Sequence, residues 1–397
     1  MRTLLIVTMT LFIKIGLYAE NNWEQKANLQ GCERHYAVGF SIGSKGYIGT
    51  GWDSNGNYYK DFWEWDSSTD VWTQKADFGG TARMGAVGFS IGEKGYIGTG
   101  VSQFDYERDF WEWDPMTNIW ERRADFAGKA RTEAIGFSIG NKGYIGTGGE
   151  IYGLLSDFWE YDQQNDEWNQ KEDFAGGIRW GAVGFSIGDK GYISTGSDGY
   201  SMKSDLWEWN PTTGTWTQKT DFAGGLRNHA MAFTIGDKGY IGFGFNGCFK
   251  NDMWEWNQKS DTWKECANIE GSPRGCGVGF SIGEKGYIGT GQDYCKSYND
   301  FWEYTSSKIT LNNEQSHKDE IMKIYPNPTQ TNITVQTDMI INTIEIYDAS
   351  GNSLMFFKDL NTQEIEINIE QFSNGRYYLI LTDNSNNVRG GSFIVSK

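Results

Sequence analysis

The chain has 397 residues, among them 52 glycines and 18 tryptophans but only 5 prolines and 3 histidines, and its formal net charge is −17. Glycine stands at about twice its ordinary share of roughly 7%, and aromatic residues make up 16%, which excludes a disordered or collagen-like chain. The acidity disfavours nucleic acid and acidic lipid as partners, and the lack of an apolar run of about 20 residues beyond the N-terminus argues against an integral membrane protein.

Residues 1–19, MRTLLIVTMTLFIKIGLYA, join a cationic Arg2, an apolar stretch from Leu4 to Leu17 broken by Lys14, and a small Ala19 at a cleavage point. They are expected to be a signal peptide read by the Sec machinery, with the mature chain starting near Glu20. Five cysteines remain in that mature chain, an odd number, and no CxxC or Cys/His spacing would hold zinc.

From residue 20 the sequence repeats. GFSIGSKGYIGTG at Gly39–Gly51 recurs five times, placing Tyr47, Tyr96, Tyr144, Tyr192, Tyr240 and Tyr287 at intervals of 47–49 residues. DFWEWD follows in each copy, with Trp63, Trp111, Trp159, Trp207, Trp254 and Trp302 in phase. A third segment, typified by WTQKADF, starts at Trp72, Trp120, Trp168, Trp216 and Trp263, while its sixth copy, WEQKANL at Trp23, precedes the first repeat. Short apolar alternations between Gly-rich turns read as four antiparallel strands per repeat. Six such units cannot each bury their own faces, so they are expected to stack radially as the blades of a propeller. The displaced Trp23 strand would complete the sixth blade beside the strand of Trp302, closing the ring by strand exchange.

The Gly-rich second strand, the aromatic pair Trp63 and Trp65 after Asp61, and the later Trp72, repeated over residues 20–304, resemble the kelch repeat. Most copies end the second strand in TG, and only the third, at Gly148 and Gly149, has the family's double glycine. The resemblance implies an all-β, six-bladed kelch-type propeller. Enzymes share this fold, among them a copper oxidase of sugars and a sialic acid mutarotase. Copper would need converging imidazole and phenolate ligands, and His35 and His229 lie in non-adjacent repeats, with His317 beyond them, so no metal or cofactor is expected. An acid–base pair among Glu133, His229 and the loop-face tyrosines is all that mutarotation needs.

Repeats also separate scaffold from site. The near-identical SIGxKG and WDxxTxxW turns fall on one face of such a ring, and the variable second-to-third loops fall on the other, with the inter-blade residues His35, Tyr36, Met84, Glu133, Trp180, Asn228 and His229. Candidate ligand contacts on this face are Trp52, Tyr58, Tyr59, Phe104, Tyr106, Tyr152, Trp180, Tyr200, Phe249 and Tyr294, because exposed rings stack well on sugars and anchor recognition. Trp52 and Trp180 are the two tryptophans that the repeat pattern does not require. Arg34, Arg83, Arg131, Arg179, Arg227 and Arg274 each lie 11 residues after a repeat Trp and match in number the Asp and Glu of the DFWE segments, so a structural ring of ion pairs is expected. Cys248 with Cys295, and Cys32 with Cys276, occupy equivalent positions in adjacent repeats and are candidate disulfides in an exported chain.

Residues 305–321 are polar and unrepeated, a linker by composition. Residues 322–397 alternate apolar positions between Asn/Gly turns, as a small Ig-like β-sandwich does. Tyr325-Pro326-Asn327-Pro328, the turn from Asp348 to Gly351, Gly375 to Tyr377 and the terminal Lys397 are similar to the C-terminal sorting domain of type IX secretion. That resemblance implies the type IX machinery as a partner and a secreted or outer-surface location. The functional expectation is a monomeric, non-enzymatic propeller binding an extracellular glycan or protein through its variable loop face. The alternative is a sugar-modifying enzyme such as a mutarotase or epimerase.

Overall fold

The computed structural model describes residues 22–306, 322–349, 353–384 and 388–397. The expected signal peptide and most of the expected linker lie outside these residues. No helix occurs among the described residues, which fall into two compact units, within Asn21–Ser306 and within Ser307–Lys397.

The first unit holds six four-stranded antiparallel sheets. In the first, Val38–Ile42, Lys45–Gly49, Phe62–Asp66 and Val71–Gln74 lie side by side in chain order. The alternation VGFSI fixes which side faces in: Val38, Phe40 and Ile42 are buried, while Gly39 and Ser41 are half-buried against the neighbouring sheet. Gly39 is needed there because a Cβ would fall 2.6 Å from that of Val278 in the adjacent sheet. The innermost strands, Val38–Ile42, Val87–Ile91, Ile135–Ile139, Val183–Ile187, Met231–Ile235 and Val278–Ile282, touch in cyclic order, the last against the first. The unit is therefore propeller-like.

Hydrophobic clusters sit between consecutive sheets. Phe40, Tyr47 and Phe62 of the first sheet pack on Ile97 and Trp113 of the second, each ring contributing about 1.5–3 kcal/mol by burial. A second bond type joins the sheets at their outer edges. Trp72 Nε1 donates to Ala27 O, Trp120 Nε1 to Ala76 O, Trp168 Nε1 to Ala124 O, Trp216 Nε1 to Glu172 O and Trp263 Nε1 to Thr220 O. Trp23 makes the sixth such bond, to Ala267 O at 2.9 Å, because Asn22–Lys26 pairs with Phe301–Thr305 as the outer strand of the last sheet. Both ends of the unit thus meet in one sheet, and no outermost strand is left unmatched among the six.

The second unit has two antiparallel sheets, Met322–Tyr325, Asn332–Ile341 and Thr362–Asn368 in one, and Ser353–Phe357, Thr343–Tyr347, Gly375–Thr382 and Val388–Val395 in the other. Ile333, Val335, Ile344, Ile367, Leu379 and Phe393 form their shared core. Asn327 ties the first segment to the last strand, its Oδ1 accepting from Ile394 N and its Nδ2 donating to Ser392 O. Tyr377 donates to Ser373 O, and Lys397 N donates to Asn374 Oδ1. Tyr325 is exposed and hydrogen-bonds Glu364, and both Pro326 and Pro328 follow cis peptide bonds.

Candidate ligand-binding face

Each repeat reaches its innermost strand through an Arg followed by two residues that differ from copy to copy. The arginine is fully committed. Arg131 Nη1 and Nη2 donate to Asp157 Oδ1 and Oδ2 at 2.6 and 2.7 Å, Nη1 also reaches Thr147 O at 2.8 Å, and the guanidinium lies 4.8 Å over the Phe126 ring. Asp157 accepts Trp159 Nε1 as well. Burial opposes ionisation of this carboxyl, but the Arg131 hydrogen bonds and charge hold it below the usual carboxylate range. The same forked pair joins Arg34 to Asp61, Arg83 to Asp109, Arg179 to Asp205, Arg227 to Asp252 and Arg274 to Asp300, with every guanidinium buried. The Glu of each DFWE segment serves a different contact, typified by Glu64 accepting Tyr47 Oη.

One residue after each Arg, a short ladder joins the inter-sheet segment to the second-to-third loop. His35 pairs with Trp52, Met84 with Val101, Thr132 with Gly149, Trp180 with Ser197, Asn228 with Phe245 and Gly275 with Gln292. Two residues after each Arg come Tyr36, Gly85, Glu133, Gly181, His229 and Cys276, all left-handed with φ between 53° and 61°. Their backbones bond head to tail around the axis: Tyr36 N to Cys276 O, Gly85 N to Tyr36 O, Glu133 N to Gly85 O, His229 N to Gly181 O and Cys276 N to His229 O. These six residues, with the Ala or Gly after each, line a cavity of about 140 Å³.

Three side chains converge in that cavity. His229 Nε2 is 2.7 Å from Glu133 Oε2 and 3.3 Å from Tyr36 Oη. Because a carboxylate only accepts, Nε2 carries the proton shared with Glu133. Tyr36 also hydrogen-bonds the Cys276 thiol. Burial, with the neighbouring Cys276 and Glu133, pushes the Tyr36 hydroxyl far above its ordinary value, and burial pushes Cys276 up to about 12, so both stay protonated. Contributors alternate around the ring: sheets one, three and five supply Tyr36, Glu133 and His229, and the intervening positions are Gly85, Gly181 and Cys276. A Cβ on Gly181 would lie 2.9 Å from His229 Nε2 at a φ of +59°, so a larger residue there would displace the imidazole.

The loop aromatics lie on the same face. Tyr200, Tyr152, Phe104 and Tyr294 are 97%, 88%, 87% and 69% exposed, on four different loops. Tyr294 packs on the half-buried Phe249 at 4.9 Å and donates to Gly247 O, stitching two neighbouring loops. Trp52 and Trp180 are half-buried on this face, ring to ring with His35 and His229, and neither indole N–H has a partner. Others of the sequence candidates serve the scaffold: Tyr59 lies under Arg34 and donates to Asp53, Tyr58 pairs with Trp52, and Tyr106 with Val101.

The candidate disulfides are corrected: all five cysteines are free thiols. Cys276 is buried with its sulfur bonded to Tyr36 and Gln292, whereas Cys32 is exposed, so the two face different surroundings. Cys248 and Cys295 are both exposed and unbridged. No group of three metal-ligating side chains is found among the described residues. The sequence names Tyr36, Glu133 and His229 as inter-blade residues of this face, and Glu133 and His229 as an acid–base option, but not as ligand contacts; the signal for their convergence is that all three lie two residues after a repeat Arg.

Residues 323–396 match the family described as the secretion system C-terminal sorting domain. No curated protein matches the chain. The solved structure of YjhT is similar to it with a TM-score of 0.60 and 16% identity, over 68% of this chain and 94% of that one, a likeness of fold alone.

Proposed function

We propose that the chain works outside the cell as a six-bladed, kelch-type β-propeller that binds a glycan through its variable loop face. The sorting domain at residues 323–396 supports export by the type IX system, to the surface or the medium. The observation that carries the binding reading is the set of exposed rings, Phe104, Tyr152, Tyr200 and Tyr294, on separate second-to-third loops of one face. Rings on separate loops, three of them set apart and Tyr294 packed on Phe249, suit the apolar faces of sugar rings better than they suit a continuous protein interface, which concentrates its apolar area.

The test is a glycan array probed with the secreted protein and with a variant carrying Phe104→Ala, Tyr152→Ala, Tyr200→Ala and Tyr294→Ala. Each ring sits at an exposed loop tip, so the variant is expected to fold and to lose at least tenfold in affinity for the glycans bound by the parent. Unchanged binding would refute this reading, and capture of a protein ligand with no glycan bound would redirect it.

A second reading, a sugar-modifying enzyme such as a mutarotase or epimerase, is favoured by the 2.7 Å Glu133–His229 pair. It requires the purified protein to accelerate anomer exchange of free sugars, measured by NMR.

A further inference from the structure

The charge around the axis is distributed in a way that restricts what the cavity can hold. Six arginines circle it, yet each is buried and spent on an aspartate and a backbone carbonyl, and no lysine or arginine lines the cavity itself. What does face it is one carboxylate, one imidazole already serving that carboxylate, one neutral phenol, the neutral Cys276 thiol and the methyls of Ala37, Ala86, Ala134, Ala182 and Ala230. Among the described residues, Glu133 Oε1 has no donor and His229 Nδ1 has no partner. The open carboxylate oxygen is an acceptor, and the wall beside it is apolar.

We infer that this axial cavity is a subsite for a single neutral sugar ring, held by hydrogen bonds between its hydroxyls and Glu133 and His229 and by apolar contact with the alanine wall. The inference rests on the glycan reading and adds to it the class of sugar and the position of its end unit. Size sets the mode of entry: a cavity of roughly 150 Å³ accommodates benzene, and this one, open and about 140 Å³, is smaller than a whole pyranose with its hydroxyls, so the ring enters by one edge. Charge agrees. An anionic sugar would bring its carboxylate toward Glu133 in a chain of net charge −17, with no free cation to receive it. Glu133, by contrast, can accept two hydroxyls of a neutral ring at its two oxygens, a charge-assisted arrangement stronger than bonds between neutral groups. The glycines at 85 and 181 leave the room in which the three polar side chains reach the axis.

The experiment titrates the secreted protein by saturation-transfer NMR and calorimetry with the methyl pyranosides of glucose, galactose and mannose, with glucuronate, and with a neutral oligosaccharide found on the array. At least one methyl pyranoside is expected to bind, with glucuronate at least tenfold weaker. Glu133→Gln should weaken the pyranoside about 10-fold to 100-fold, the range for a hydrogen bond to a charged group. Tyr36→Phe keeps the ring that packs on His35 and His229 and removes the hydroxyl, so it should fold normally and weaken binding by a smaller factor. If the oligosaccharide binds and no pyranoside does, the subsite is wrong while the loop-face reading stands. If nothing binds, both fail. Glucuronate binding as tightly as the neutral rings, or Glu133→Gln and Tyr36→Phe each binding like the parent, would overturn the proposal.

Discussion

At the scale of single residues, His35 offers a pH signature. It is fully buried, with Nδ1 2.9 Å from Ser297 Oγ and Nε2 without a partner, and burial lowers its pKa to about 4 from the free value of 6.5. The folded protein therefore keeps it neutral while the unfolded chain takes up a proton below pH 6.5. Its contribution is fully present above pH 6.5 and is lost as the pH falls toward 4, on the order of 3 kcal/mol by the lower limit. Denaturant unfolding at pH 7 and pH 4.5 should show a loss that His35→Gln reduces by about 2 kcal/mol; an equal loss in both proteins would contradict the burial account. Cysteine chemistry gives an independent check. Iodoacetamide at pH 8 should label the exposed Cys32, Cys248 and Cys295, and spare the buried Cys266 and Cys276, whose thiols sit at about 11 and about 12.

Residue identity was only partly sufficient to locate the site in the sequence. Trp52 and Trp180 stood out because the repeat did not need them, and both do lie on the variable face. Glu133 and His229 were nameable as an acid–base option, but not their 2.7 Å contact, because the residues are 96 apart and meet only across a closed ring. Tyr59 misled for the opposite reason: its loop is variable in sequence, but its ring is fixed under Arg34.

At the scale of the repeated element, stability is concentrated in the Arg–Asp–Trp unit. Arg131 is buried and makes five contacts in one geometry: two to Asp157, two to backbone carbonyls and one to the face of Phe126. Asp157→Asn keeps the shape but removes the charge that balances the guanidinium, and should cost about 3–5 kcal/mol in denaturant unfolding. A loss below 1 kcal/mol would show that the pair is not a structural ion pair. The strands were legible because period-two alternation and tight Gly turns are local signals. The second-to-third loops were not, since their conformation is set by ladders to a segment that precedes the innermost strand, such as His35 with Trp52.

At the scale of the whole molecule, the displaced Trp23 motif was legible as a closure strand, because only a ring brings residue 23 beside residue 304. Trp23 packs on Phe233, Phe243 and Tyr304 and donates to Ala267 O. Trp23→Ala should cost about 2–3 kcal/mol and raise aggregation, measured by thermal unfolding with light scattering, since the last sheet then loses its outer partner. The tail was legible through its ordered short motifs. Deleting residues 322–397 should leave the remaining chain inside the outer membrane, and its normal appearance in the medium or on the surface would contradict the sorting role.

The most direct test of the account is a crystal structure of the secreted protein with a bound neutral oligosaccharide. The account predicts sugar density over the axis on the loop face, an end ring beside Glu133 and His229, and further units against the rings of Tyr152, Tyr200 or Tyr294. Density on the opposite face, among the SIGxKG turns, or a ligand held by none of these side chains, would contradict it.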